Sequence, residues 1–179
     1  MKKTKNENRT GRLIGLPLLS VLFPLMFFLS SANSYFGEMA DFSGKWKLNE
    51  DQSEIAEGRY GPSITLIVTQ TESSLIVDRT RIGREGQERK IKDEYNLNSE
   101  EKITESERGT TKTTASWSAD GKILTIHSHR KMTRDDQTFE IKSEETWELS
   151  DDGSTLTIKT SSSSPRGERN YVLVYDKSN

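Results

Sequence analysis

One pattern occurs twice and restricts the fold more than any other feature of the chain. Residues 117–126 read Trp-Ser-Ala-Asp-Gly-Lys-Ile-Leu-Thr-Ile, and residues 147–158 read Trp-Glu-Leu-Ser-Asp-Asp-Gly-Ser-Thr-Leu-Thr-Ile. Each runs from a Trp, through an Asp-Gly turn, into a Leu-Thr-Ile strand. Glycine supplies the positive φ of a tight turn, and β-branched residues suit a half-buried pleated surface, so both copies predict β-hairpins. In each hairpin the Trp meets an apolar residue across the turn: Trp117 with Leu124, and Trp147 with Ile158 or Leu156. Trp147 is also expected beside Leu124, which gathers one aromatic cluster near an end of the sheet.

The same alternation extends through the rest of the chain. Strands are expected over 41–49, 64–71, 75–82, 89–97, 110–118, 122–132, 138–149, 155–163 and 169–175, with a tenth around Ile103. Residues 50–62 read as a loop with one turn of helix after Ser53. Most connections are two to six residues, which makes neighbours antiparallel and the order up-and-down. A flat sheet of nine or ten strands leaves two exposed edges, and closure removes them. The expected fold is therefore all-β, an antiparallel up-and-down barrel of about 8–10 strands.

The first 32 residues are set apart. Lys2, Lys3, Lys5, Arg9 and Arg12 form a basic segment, residues 13–29 carry no charge, and Ser30-Ser31-Ala32 offers a small-residue cleavage site. This is the pattern of a secretory signal peptide over 1–32, preferred over an uncleaved anchor because the apolar run is short and contains Pro17 and Pro24. A linker (33–40) and one domain (41–179) follow, with no stable membrane anchor after cleavage. The expected location is exported, periplasmic or extracellular. The whole chain has 26 basic and 28 acidic residues. Removing the leader's five basic and one acidic leaves 21 and 27, a balance of −6, which argues against a nucleic-acid partner. There is no cysteine, so an exported domain is held by its core and its sheet alone.

Two resemblances bear on the first strand. Gly44-Lys45-Trp46 resembles the Gly-x-Trp signature of lipocalins and lipocalin-like (calycin-type) barrels, in which the Trp plugs one barrel end and a late Arg packs on it; Arg166 or Arg169 would fill that role here. The chain is also similar to a group of exported bacterial proteins that begin Asp-Phe-Ser-Gly-x-Trp-x-Leu-Asn (41–49 here) and end Leu-Val-Tyr-Asp-Lys (173–177 here). Both resemblances imply a barrel. They imply no particular ligand.

Barrels of this size either fill their interior or hold one small molecule. The expected register places Arg79 opposite Asp93, and Arg130, Ser143 and Glu145 on inner faces, joined by Tyr95 and Tyr175. These seven, set among apolar walls, are the candidate ligand-binding residues for a small hydrophobic or amphipathic molecule. The alternative is an envelope structural or protein-interaction barrel with a packed interior. The two histidines, His127 and His129, share one strand face near Glu144, two nitrogens and a carboxylate that suit zinc, but on the outer face, where a solvated surface pair is the simpler reading. No nucleophile or acid–base pair stands out, so neither enzyme activity nor a cofactor is expected.

Overall fold

The structure is a computed structural model, and it describes residues 39–55, 61–83, 85–107, 109–134 and 137–179. The expected leader and most of the linker lie outside these residues. Ten strands form one antiparallel sheet: β1 (Gly44–Leu48), β2 (Ser63–Gln70), β3 (Ser74–Ile82), β4 (Glu88–Asn96), β5 (Lys102–Ser106), β6 (Gly109–Trp117), β7 (Ile123–Arg134), β8 (Gln137–Leu149), β9 (Thr155–Ser164) and β10 (Gly167–Ser178). The spatial order is β4-β3-β2-β1-β10-β9-β8-β7-β6-β5. The first and last strands pair with each other, Trp46 opposite Lys177 and Leu48 opposite Tyr175.

The sheet curls into a nearly closed barrel. Among the described residues no ladder joins β4 to β5, but β4 lies against β6, and Lys102 on β5 pairs with Glu94 on β4 at 2.5 Å. Side chains reach across the interior between strands that are not neighbours in the sheet. Arg79 on β3 reaches Glu145 on β8, and Tyr175 on β10 donates its hydroxyl to the Ser63 carbonyl on β2 at 3.0 Å.

The two copies of the repeated pattern form the hairpins β6–β7 and β8–β9, with closely similar caps. In the first, the Ser118 hydroxyl donates to Asp120 at 2.6 Å and accepts from the Ile123 amide. In the second, the Ser150 hydroxyl donates to Asp152 at 2.7 Å and accepts from the Thr155 amide. Gly121 and Gly153 follow at φ 72° and 66°, the left-handed region that glycine enters without steric cost. Trp117 faces Leu124, and Trp147 lies between Leu124 and Ile158, as the alternation requires.

The core occupies the barrel end where these turns gather. Phe42 stacks on Trp117 (centroids 5.7 Å apart, 9° between planes) and meets Trp147 edge-on. Trp46 is fully buried and donates its indole N–H to the Phe42 carbonyl at 2.9 Å. Leu66, Leu75, Leu124 and Leu156 are completely enclosed, each worth about 1.5–3 kcal/mol relative to exposure. Trp46 is thus part of the packed aromatic core. The cation over its ring is Lys177, with the ammonium 5.3 Å from the centroid; Arg166 and Arg169 lie toward the opposite end of β10.

Two local features depart from expectation, and one faint element is present as expected. The helical turn falls at Glu50–Gln52, before Ser53, because the Asn49 side chain caps it by accepting from the Gln52 amide. The segment that follows is then tied to the edge of β10 through the reciprocal Glu54–Val172 backbone pair. The tenth strand, around Ile103, is present, although four of its five residues are exposed. In β2 a register shift between Ser63 and Thr65 lets Ser63 face inward along with Leu66, three residues on. That shift brings Ser63 to Tyr175 and to Arg81, whose Nε donates to the Ser63 hydroxyl at 3.1 Å.

Candidate functional site

Above the aromatic end the inward faces turn polar, and the transition is one buried arginine. Arg79 is 6% exposed. Its Nε donates to Asp93 Oδ2 at 2.9 Å and its Nη2 to Glu145 Oε2 at 3.0 Å, while its guanidinium carbon sits 5.5 Å from the centre of the Trp147 ring. The same Glu145 oxygen accepts the Trp147 indole N–H at 3.2 Å. Burial disfavours the guanidinium charge, but Glu145, with Tyr95 and Asp93 behind it, more than offsets that cost and raises the Arg79 pKa. Burial also pushes the phenols of Tyr95 and Tyr175 upward, against the opposing pull of Arg79, so both stay neutral. The cluster of one cation and two carboxylates carries a formal charge of −1.

Arg79 was expected directly opposite Asp93. Its cross-strand partner is Ile91, and Asp93 faces Val77. The long guanidinium side chain reaches the diagonal neighbour instead, two residues along β4 on the same face, which restores the contact.

Next to this cluster an interior cleft of about 450 Å³ opens toward the end of the barrel away from the tryptophans. Arg79, Glu145, Ile158, Thr160 and Leu173 form its inner part. Ser63, Arg81, Ser162, Tyr171 and Arg169 follow along the same strand faces, and Ile55, Gly61, Pro62 and Arg166 border it from the loops. Thr160 is 6% exposed, and its hydroxyl has no hydrogen-bond partner among the described residues. No ion pair involves Arg81, Arg166 or Arg169 among the described residues.

The seven candidate residues separate into three groups. Arg79 and Glu145 line the cleft. Asp93, Tyr95 and Tyr175 support it from behind or below. Asp93 holds Arg79, Tyr95 is buried beside it, and Tyr175 is fully buried on the Ser63 carbonyl. Arg130 and Ser143 stand apart. They are on the inward-facing register of β7 and β8; Ser143 pairs with Ser162, at the level of the outer cleft, and Arg130, opposite Ile141, is one step farther out. Arg130 is exposed and donates to the Thr111 hydroxyl at 3.2 Å, and Ser143 borders a different, shallow groove.

That groove, about 420 Å³, lies across β6 to β9 and is bordered by His127, His129 and Glu144. His127 Nδ1 is 3.5 Å from Glu144, whereas His129 turns to Glu140 at 3.3 Å, where Lys131 also binds. The two imidazoles engage different carboxylates. Among the described residues no group of three His, Asp or Glu side chains is placed to hold a metal ion.

Sequence reasoning left out most of the cleft: Ser63, Arg81, Ile158, Thr160, Ser162 and Leu173. The signal was present in the alternation. Arg81 follows Arg79 by two residues, and Arg169, Tyr171 and Leu173 precede Tyr175 in steps of two, so all share its face. What was missing was the β1–β10 pairing that brings the third strand within reach of the ninth and tenth.

No protein family and no curated protein matches the chain. Among solved structures it is similar to the crystal structure of zebrafish ileal bile acid-binding protein complexed with cholic acid. Identity is 17%, over 76% of this chain and 98% of that one, with a TM-score of 0.47. A likeness this distant assigns no ligand to the present chain.

Proposed function

We propose that the protein is an exported binding protein that holds one small amphipathic molecule in the interior cleft. The observation that carries this reading is the cleft itself: about 450 Å³, within the range of small-molecule sites, with Ile158, Leu173 and Tyr171 as apolar wall and a few fixed polar groups. Arg79 and Glu145 are held by their mutual ion pair and by Trp147, so the inner polar groups are preorganised before any ligand arrives. The export reading rests on the residue pattern of 1–32. The packed interior of the competing, surface-acting reading is found only at the aromatic end.

The test is a saturable titration with decan-1-ol, followed by displacement of a fluorescent amphiphile, on the parent protein and on Ser162→Trp. Ser162 is a half-buried lining residue away from the aromatic core, so an indole there fills the cleft and leaves the fold in place. Binding by the parent and its loss in Ser162→Trp, with an unchanged melting transition, is the expected result. Equal binding by the two proteins moves the ligand elsewhere, and no binding by either overturns the reading.

A further inference from the structure

The cleft is polarised along its length, and this sets which amphiphile it takes and which way round. At the inner part, Arg79 is already matched by Asp93 at 2.9 Å and Glu145 at 3.0 Å, and the three together carry −1. An anion placed there would compete with two carboxylates fixed on the same guanidinium. Farther out are Arg81, Arg166 and Arg169, three cations on one opening, none in an ion pair among the described residues. They come from separate elements. Arg81 is on β3, its Nε donating to Ser63 and its terminal nitrogens in no hydrogen bond among the described residues; Arg166 is in the β9–β10 turn; Arg169 is on β10, opposite Ser162. The apolar lining stands on the inner side of those cations: Ile158 and Leu173 are paired on the Trp147 rung, and Tyr171 faces Thr160 on the Glu145 rung.

We infer that the ligand is an amphipathic anion, a carboxylate, sulfate or phosphate on an apolar body, bound with its charged head outward on Arg81, Arg166 and Arg169 and its apolar body inward. This rests on the cleft being a binding site and adds the chemistry and orientation of its occupant. Guanidinium groups suit all three head groups because their paired N–H donors match two oxygens at once. The buried Arg79 is excluded as the head-group anchor by its two carboxylates and acts instead as a fixed floor. Opposite charge at the opening also draws an anion in from solution, an effect that weakens with added salt.

The test compares three ten-carbon probes, decanoate, decan-1-ol and decyltrimethylammonium, by calorimetry below their aggregation limits, on the parent chain and on the double variant Arg166→Ala/Arg169→Ala. The expected order is decanoate at least tenfold tighter than the alcohol, with the cation weakest. The double variant loses the tenfold preference while its affinity for the alcohol stays within twofold, and raised salt shrinks the preference of the parent. A decanoate preference that survives the double substitution overturns the outward orientation. Equal affinity for acid and alcohol overturns the anion itself, and in both cases the cleft stands as a site. If none of the three binds, the inference falls together with the reading beneath it.

Discussion

The two ends of the barrel are built from the same strands and the same alternation, yet they differ in what fills them. At one end Phe42, Trp46, Trp117 and Trp147 interlock with buried leucines and leave no room. At the other, the same inward positions carry Arg81, Ser162 and Arg169 around open space. An interior gains stability where large side chains meet and forgoes it where arginine and serine replace them. A half-filled barrel thus divides one architecture into a part that holds the fold and a part free to hold something else. Arg79 marks the boundary, with Trp147 on one side and the cleft on the other.

That division can be broken by substitution. The largest effect is expected from Trp147→Ala, which removes a fully buried indole between Leu124 and Ile158 and should cost about 3–5 kcal/mol in urea unfolding. A cost under about 1 kcal/mol would mean the aromatic end does not carry the fold. Arg79→Ala should come close to it, about 3–5 kcal/mol, because it leaves Asp93 and Glu145 facing each other without their cation. If the accompanying loss in Arg79→Met/Asp93→Leu/Glu145→Leu is as large, the cost lies in packing around the guanidinium and not in the stranded carboxylates.

Smaller effects sharpen the contrast. Gly153→Ala forces a side chain into the left-handed region at φ 66° with no steric neighbour within 4 Å, so backbone strain alone should cost about 1–2 kcal/mol. Arg169→Ala, at the open end, should change unfolding by no more than about 0.5 kcal/mol while altering binding. A destabilisation of 2 kcal/mol or more there would erase the distinction between the two ends. Last is a pH effect in the second hairpin turn. The Ser150 hydroxyl, the Ser154 amide and the Ser154 hydroxyl all donate to Asp152 and hold its carboxyl down to about 2. A depressed carboxylate pKa gives stability that is complete above the usual range near 4 and lost as pH falls toward 2. NMR titration of the Asp152 carboxyl should show a midpoint near 2, and a midpoint near 4 would show that the cap does not persist in solution.

The aromatic end was legible in the sequence because period-two alternation, Asp-Gly turns and a repeated Trp all point to one register. The ion pair between Arg79 and Glu145 was half legible. Both residues fell on inward faces, but their meeting depends on curvature that local pattern does not encode. Arg130 and Ser143 share the strand faces of the inward residues and yet do not line the cleft, because alternation gives the face of a residue but not which part of the interior its side chain reaches. Strand β5 was faint for a related reason: an edge strand with little buried surface has no apolar alternation to display. Lys177 over Trp46 was missed because a search for a late arginine passed over a lysine.

The most direct measurement is a two-dimensional ¹H–¹⁵N NMR titration of the protein with decanoate. Saturable shifts are expected, concentrated at Arg81, Glu145, Thr160, Ser162 and Arg169 to Leu173, with the Trp117 and Trp46 indole signals nearly still. Shifts confined to the outer groove around His127 and His129, or none at all, would contradict it.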